Sequence, residues 1–344
     1  MSEVRLADLT TLRVGGPARS FVRAATEDEL IAAVAAADDA GEPVLLVAGG
    51  SNLLVADEGF AGTVIQVATA GVAVGSVDGQ VEVAVQAGVI WDEFVARAVA
   101  EGWSGIEALS GIPGAVGSTP IQNVGAYGQE VSATISEVKV WDRRLRGIRR
   151  FTGEECSFGY RHSRFKADPS RFVVLEVNFR LENSELGQPV RYAELARTLG
   201  LEVGERAPLA DIRDAVLRLR SGKGMVLDAA DHDTWSAGSF FTNPLLAPEQ
   251  AAALPDAAPR YAQPDGTVKT SAAWLIENAG FGKGFALTPD AAASLSTKHT
   301  LALTNRGSAG AEEVLELARA VRDGVERAFG VRLVNEPVLV GCTL

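Results

Sequence analysis

Apolar positions follow two rhythms along the chain. Residues 26–40 carry an acidic first turn and an alanine-rich body, which predicts a helix with its negative charges at the dipole's positive end. Residues 43–67 read as strand, Gly-rich turn, short strand, turn and strand. VEVAVQAG at 81–88 alternates and is β-branched, so it reads as a strand. Trp91, Phe94, Val95 and Ala98 line one face of a helix over 91–102. SEVKVWDRRLRGIRRFTG at 136–153 reads as a strand hairpin, and RFVVLEVNFRLE at 171–182 as a further strand. Helical periods then dominate 191–200, 209–224 and 272–280. The clearest helix is 311–330, whose face is Val314, Leu317, Val321, Val325 and Phe329 and which Gly330 stops. VRLVNEPVLV at 331–340 reads as a last strand.

Two stretches keep neither rhythm: 104–130, rich in Gly, Ser, Pro and Asn, and 227–244. A long aperiodic stretch is either a functional loop or a disordered one, and the small apolar residues Ala115, Val116 and Ala126 favour order. The order is an α/β part, a β-rich part, and a mixed part after about residue 226, which gives an α+β fold class.

Length and composition narrow the function. A chain of 344 residues implies two or three domains. A net charge of -12 makes it a poor general binder of nucleic acid or anionic membrane. Two distant cysteines, Cys156 and Cys342, form no disulfide framework and fit a reducing compartment. The opening MSEVRLADLT has no apolar signal core, and no apolar run is long enough to cross a bilayer. His162, His232 and His299 lack partners at metal spacing, so no metal is expected. The expectation is a soluble, cytoplasmic protein.

Glycine carries the candidate chemistry. In AGGSNLLV at 48–55, a strand runs into Gly49 and Gly50. Successive N–H groups can then face one concavity suited to a pyrophosphate, with Ser51 and Asn52 adding donors. An ordinary strand-to-strand turn is the plain alternative. In SGIPGAVGSTPIQNVGAYG, Gly111, Gly114 and Gly117 recur every third residue, followed by Gly125 and Gly128. Such a loop can lie against a flat polar cofactor, with Gln122 and Asn123 at a ring edge, or it is a structural Gly-rich loop. No G-x-G-x-x-G joins a strand to a helix and no P-loop is present, so a dinucleotide would bind in another way. Three single residues stand out. Arg161 in FGYRHSRFK is able to hold a carboxylate, and Ser239 in AGSFFTNP to give a proton. Glu336 is a carboxylate in an apolar C-terminal segment. A surface Arg, an idle Ser and a solvated edge-strand Glu remain the alternatives.

Taken together, the segments TTLRVGGPA (10–18), AGGSNLLVADEGFAGTVI (48–65), GIPGAVGSTPIQNVGAYGQE (111–130), FGYRHSRFK (158–166), AGSFFTNP (237–244), AAWLIENAG (272–280) and NEPVL (335–339) make the chain resemble, nearly end to end, the UDP-N-acetylenolpyruvoylglucosamine reductases. The resemblance implies an FAD-binding fold of the vanillyl-alcohol-oxidase (PCMH) type with a third, α+β substrate-binding subdomain. The implied division is 1–66 and 67–225 for FAD, 226–330 for substrate, and 331–344 as a strand returning to the active site. FAD contacts are implied at Gly49, Gly50, Ser51, Asn52, Leu53, Gly114, Ala115, Gly117, Ser118, Ile121, Gln122, Asn123, Gly125 and Ala126. Arg161, Ser239 as proton donor and Glu336 match the family's catalytic residues. Tyr192, Lys223 and Asn243 match substrate-site positions. NADPH is the implied hydride donor and UDP-N-acetylglucosamine enolpyruvate the acceptor, with a monomer sufficient for the site. A flavin alcohol oxidase of the same fold would have no use for Ser239 and FFTNP, and a catalytically dead nucleotide-sugar binder none for the trio.

Overall fold

The computed structural model describes residues 4–344. The first three residues, which begin the stretch read as lacking a signal core, lie outside it. The chain forms two compact units interleaved in sequence. One comprises 19–49 with 61–221; the other comprises, of the described residues, 4–18, 50–60 and 222–344.

The first of these units is built on an antiparallel sheet. Its strands run in the order Gly147–Thr152, Ile135–Asp142, Phe172–Asn183, Gln80–Gln86, Val72–Val77. The hairpin expected at 136–153 is the pair 135–142 and 147–152. One face of the sheet supplies Val83, Val85, Val138, Val140, Val177 and Phe179 to a core closed by the helix Trp91–Ala100. That helix turns Trp91, Phe94, Val95 and Ala98 inward, as its spacing predicts. A three-stranded sheet of Ala18–Ala24, Phe60–Val67 and Val44–Val47 packs Ile65 against Leu30 and Val34 of the helix Glu27–Asp39. Thr26 caps that helix in a full capping box with Glu29. Two further helices, Ala193–Leu199 and Leu209–Gly222, share a smaller core around Leu195, Ile212 and Val216.

The second unit centres on the helix Ala311–Phe329, which buries Val314, Leu317, Val321 and Val325. Asp57 accepts the first helical N–H, from Ala311, at 2.9 Å, placing a carboxylate at the dipole's positive end. Gly330 ends the helix in the left-handed conformation, at φ 65°. The helix Ala272–Asn278 and the hairpin Ala293–Leu295/Leu303–Asn305 complete the core.

One expected element differs. The last strand was expected over 331–340, but only Val338–Val340 is a strand, paired in parallel with Leu53–Val55. Pro337 has no N–H to give a ladder. Upstream, Val334 O accepts from Thr242 N–H at 3.0 Å and Glu336 N–H donates to Phe240 O at 2.8 Å. The stretch 104–130 is ordered by short turns at 107–109 and 116–118 and by a small antiparallel pair, Gly125–Ala126 with Gln129–Glu130.

Candidate active site

The two glycine-rich segments contribute a shared backbone surface. A methyl group at Gly49 would sit 2.5 Å from Gly114 Cα, so the chain passes backbone against backbone there. A methyl at Gly117 would meet Ala87 Cβ at 2.5 Å, and Gly117 N–H donates to Ala87 O at 2.8 Å. The glycines are thus required by close approach of protein to protein. Ala115 bridges Ile90, and Val116 N–H donates to Val89 O at 2.9 Å, so 114–118 is docked along 87–91. Ser118 is half-buried and Ile121 is exposed. In the other unit, Gly50 at φ 57° has no room for a side chain beside Leu9 O. Ser51, Asn52 and Leu53 follow it, half-buried.

Asn123 is committed inside the protein. Its side-chain N–H groups donate to Glu130 at 2.8 Å and Gly159 O at 3.2 Å, and its Oδ1 accepts from Ser132 N–H at 3.1 Å. This buried side chain thus ties the loop to its neighbours, and Gln122 beside it is half-buried. Asn123 also holds the left-handed conformation, φ 48°, which asparagine tolerates.

Arg161 sits at the tip of a two-residue turn. Gly159 and His162 exchange both backbone hydrogen bonds, at 3.1 and 3.2 Å, leaving Tyr160 and Arg161 at the apex. Arg161 has φ 51°, a conformation that costs a non-glycine residue about 1 kcal/mol. Its guanidinium donates to Gly125 O at 3.3 Å, and its own carbonyl accepts from Lys166 Nζ at 3.0 Å. Arg161 is half-buried and lines a cavity of about 780 Å³ together with Gly125, Ala126, Tyr127 and Tyr160. His162 beside it is exposed.

The other unit brings Ser239 and Glu336 together. Glu336 N–H donates to Phe240 O, one residue from Ser239, and Phe241 bridges Asn335. Gly238 at φ 73° turns the chain before Ser239, and Phe240 and Phe241 pack fully buried behind it, 5.1 Å apart. Ser239 and Glu336 are each half-buried. Asn52 joins the same segment: its side chain donates to Glu336 O at 3.4 Å. Asn243 turns its side-chain oxygen to the first N–H of the 272–278 helix, at Ala272, 3.0 Å away. Lys223 is half-buried beside Gly224, whose φ of 67° fits it under Asp233.

Tyr192 is 45% exposed and meets Tyr127 edge to face at 5.5 Å. Tyr127 escaped the sequence reading, as did Arg220, a nearly buried arginine whose pKa burial pushes down to about 10 against the pull of Tyr127 and Asp92. The helical rhythm of 209–224 gave a signal for Arg220, since it falls on the face of Ile212 and Val216. Among the described residues, no helix is long and apolar enough to cross a membrane.

Comparison with known proteins gives this geometry a family. The model of an FAD binding domain matches residues 18–144. That of the UDP-N-acetylenolpyruvoylglucosamine reductase C-terminal domain matches 230–340. A UDP-N-acetylenolpyruvoylglucosamine reductase of Cutibacterium acnes is 58% identical over 99% of this chain and 90% of its own length. The chain belongs to the UDP-N-acetylenolpyruvoylglucosamine reductase family. The Thermobifida fusca reductase is 57% identical over 99% of this chain and 98% of its own. Among solved structures, the MurB reductase of Thermus caldophilus superposes with a TM-score of 0.67 at 28% identity, covering 98% of each chain. As a reductase of this family the protein is an oxidoreductase, a UDP-N-acetylmuramate dehydrogenase, with the FAD-binding fold expected of it. The glycine contacts at 49, 114 and 117 fall inside the span matched as FAD-binding, and Ser239 and Glu336 inside the reductase C-terminal span.

Proposed function

We propose that the protein reduces UDP-N-acetylglucosamine enolpyruvate to UDP-N-acetylmuramate with electrons from NADPH, as a cytoplasmic monomer. The observation that supports this reading is the hydrogen bond from Glu336 N–H to Phe240 O, which draws the backbone of Glu336 to the residue that follows Ser239. The residues present suit FAD: Gly49 and Gly114 bring two glycine-rich backbones together with no side chain between them, and Gly50, Ser51, Asn52 and Leu53 offer a short turn with donors. Gly114, Ala115, Gly117, Ser118, Ile121, Gln122, Gly125 and Ala126 would extend that contact, with Asn123 acting by holding the loop. When bound, FAD supplies hydride transfer from NADPH and onward from N5 to the vinyl carbon of the enolpyruvyl group.

The protein's own part is position and charge. Arg161, fixed at its turn, binds the substrate carboxylate and stabilises negative charge as it spreads there. Glu336, in its protonated form, adds a hydrogen bond to the same charge. Ser239 Oγ gives its proton to the carbon next to the carboxylate, and the strong basicity of that carbon drives transfer from so weak an acid. Lys223 holds the diphosphate, Asn243 contributes a substrate contact, and Tyr192 gates entry.

The test is a visible absorption spectrum of purified protein, before and after NADPH without oxygen and then with the enolpyruvyl nucleotide. A flavin band that bleaches with NADPH and returns with the nucleotide supports cofactor, donor and acceptor together. A colourless protein that no added FAD reconstitutes would refute the reading.

A further inference from the structure

The first two residues of the Trp91–Ala100 helix hold both ends of the turn that enters the 114–118 segment. The Trp91 indole N–H donates to Leu109 O at 3.0 Å, and Trp91 N–H donates to Gly114 O at 3.0 Å. Between these, the Asp92 carboxylate accepts from Gly111 N–H at 2.6 Å, while Gly111 holds φ 70°. Leu109 and Gly111 are buried, so water is a poor substitute partner there. The same carboxylate is gripped by Arg213, whose two terminal nitrogens lie 2.7 and 2.9 Å from its two oxygens. A fork-to-fork pair of this kind fixes orientation as well as distance. Burial by itself would raise the Asp92 pKa, but Arg213, the Gly111 N–H and the charge of Arg220 outweigh it and hold the group ionised.

We infer that Asp92 is a positioning residue for the flavin loop: through its hydrogen bond it sets the Gly111 turn, and through that turn the place of Gly114 against Gly49, while the ion pair with Arg213 contributes stability alone. This rests on the proposed FAD contacts at 114–118. Asp92 lies on the outer side of a helix whose inner face is Trp91, Phe94, Val95 and Ala98, where a solvated acid is the ordinary expectation. The hydrogen bond at 2.6 Å and the ion pair give it a specific task instead. The ion pair and the Gly111 hydrogen bond are separable by substitution, and that separation makes the inference testable.

The experiment measures FAD affinity of deflavinated full-length protein by flavin fluorescence, alongside the melting temperature of the same FAD-free samples. Asp92→Asn keeps an oxygen for Gly111 N–H but loses the charge that pairs Arg213. Asp92→Ala loses both, and Arg213→Met loses only the ion pair. Asn and Met variants are expected to bind FAD within about twofold of the parent and Ala about tenfold more weakly, a tenfold change corresponding to about 1.4 kcal/mol. All three are expected to melt somewhat lower without FAD. Equal FAD affinity in all three, or equal loss in Asn and Ala, would overturn the inference and leave Asp92 a structural ion-pair member. Should Asp92→Ala not fold, a tenfold loss in Asp92→Asn or Arg213→Met overturns it, and parent-like affinity in both with a turn still protected from amide exchange at Gly111 supports it. If the parent itself binds no FAD, it is the proposed function that fails.

Discussion

Asn52 and Glu336, 284 residues apart, share one local backbone arrangement: the Asn52 side chain donates to Glu336 O at 3.4 Å, and Asn52 O accepts from Val338 N–H at 2.9 Å. The backbone of Glu336 is therefore held from two sides, by Asn52 and by Phe240. Both of these bonds involve its main chain, so a change of its side chain leaves them in place. Glu336→Ala is expected to keep FAD and its reduction by NADPH while slowing reoxidation by the enolpyruvyl nucleotide about 100-fold or more. Anaerobic stopped-flow absorbance separates the two halves, and equal loss of FAD would show that the residue is structural.

Ser239 gives a sharper test because only an oxygen is lost. Ser239→Ala should reduce its flavin at the parent rate and reoxidise it about 100- to 10,000-fold more slowly. Normal rates in both halves would remove Ser239 from the proton transfer.

Gly49→Ala probes the meeting of the glycine segments. Its methyl would stand 2.5 Å from Gly114 Cα, and backbone is slow to yield. The expected cost is about 1–3 kcal/mol of stability, read by denaturant titration, together with weaker FAD retention on gel filtration. Parent-like stability would mean that the two segments separate easily.

Acid sensitivity should centre in part on Asp142. Its side chain is fully buried, and hydrogen bonding from Arg171, with help from the Leu145 and Arg144 N–H groups, outweighs burial and holds its pKa below the ordinary carboxylate value. A depressed folded pKa contributes stability that is complete above the unfolded value of about 3.9 and is lost as pH falls through the folded one. Arg171→Met should lower the melting temperature at neutral pH and flatten its fall below about pH 4. An unchanged acid limb would place the pH dependence elsewhere.

The two thiols should behave differently. Burial pushes Cys156 up to about 12, the nearby Arg164 only partly opposing it, whereas Cys342 is half-buried with a smaller upward shift. A thiol reagent at neutral pH should label Cys342 alone in the native protein and both after unfolding. Native labelling of Cys156 would show that its core opens.

The helix 311–329 was legible because its apolar rhythm, its acidic start and Gly330 all agree, and each is local. The 135–152 hairpin was legible for the same reason. The strand Val72–Val77 was not assigned from the sequence: it is a sheet edge with Val74 49% exposed and Gly75 in its middle, so no one-sided alternation marks it. At 331–334 burial does alternate as in a strand, yet the ladder starts only after Pro337. The glycine segments were legible as a pair, but their contact at Gly49 and Gly114 was not, because that depends on register between distant segments. The same holds for Ser239 beside Glu336. Asn123 shows a role that the sequence does not reveal: its amide closes the loop on Glu130 and Gly159, segments whose approach depends on the fold.

The parallel pairing of Leu53–Val55 with Val338–Val340 also bears on how the molecule assembles. Closing so long a loop adds little entropy beyond a medium one, since that cost grows only with the logarithm of length. Its penalty is kinetic: contacts between such remote segments form slowly and late. The turn at Gly50–Asn52 borders this pair, so its final shape should emerge in one of the last folding phases, and newly made chains should gain the ability to hold a flavin only after the bulk of their secondary structure has formed.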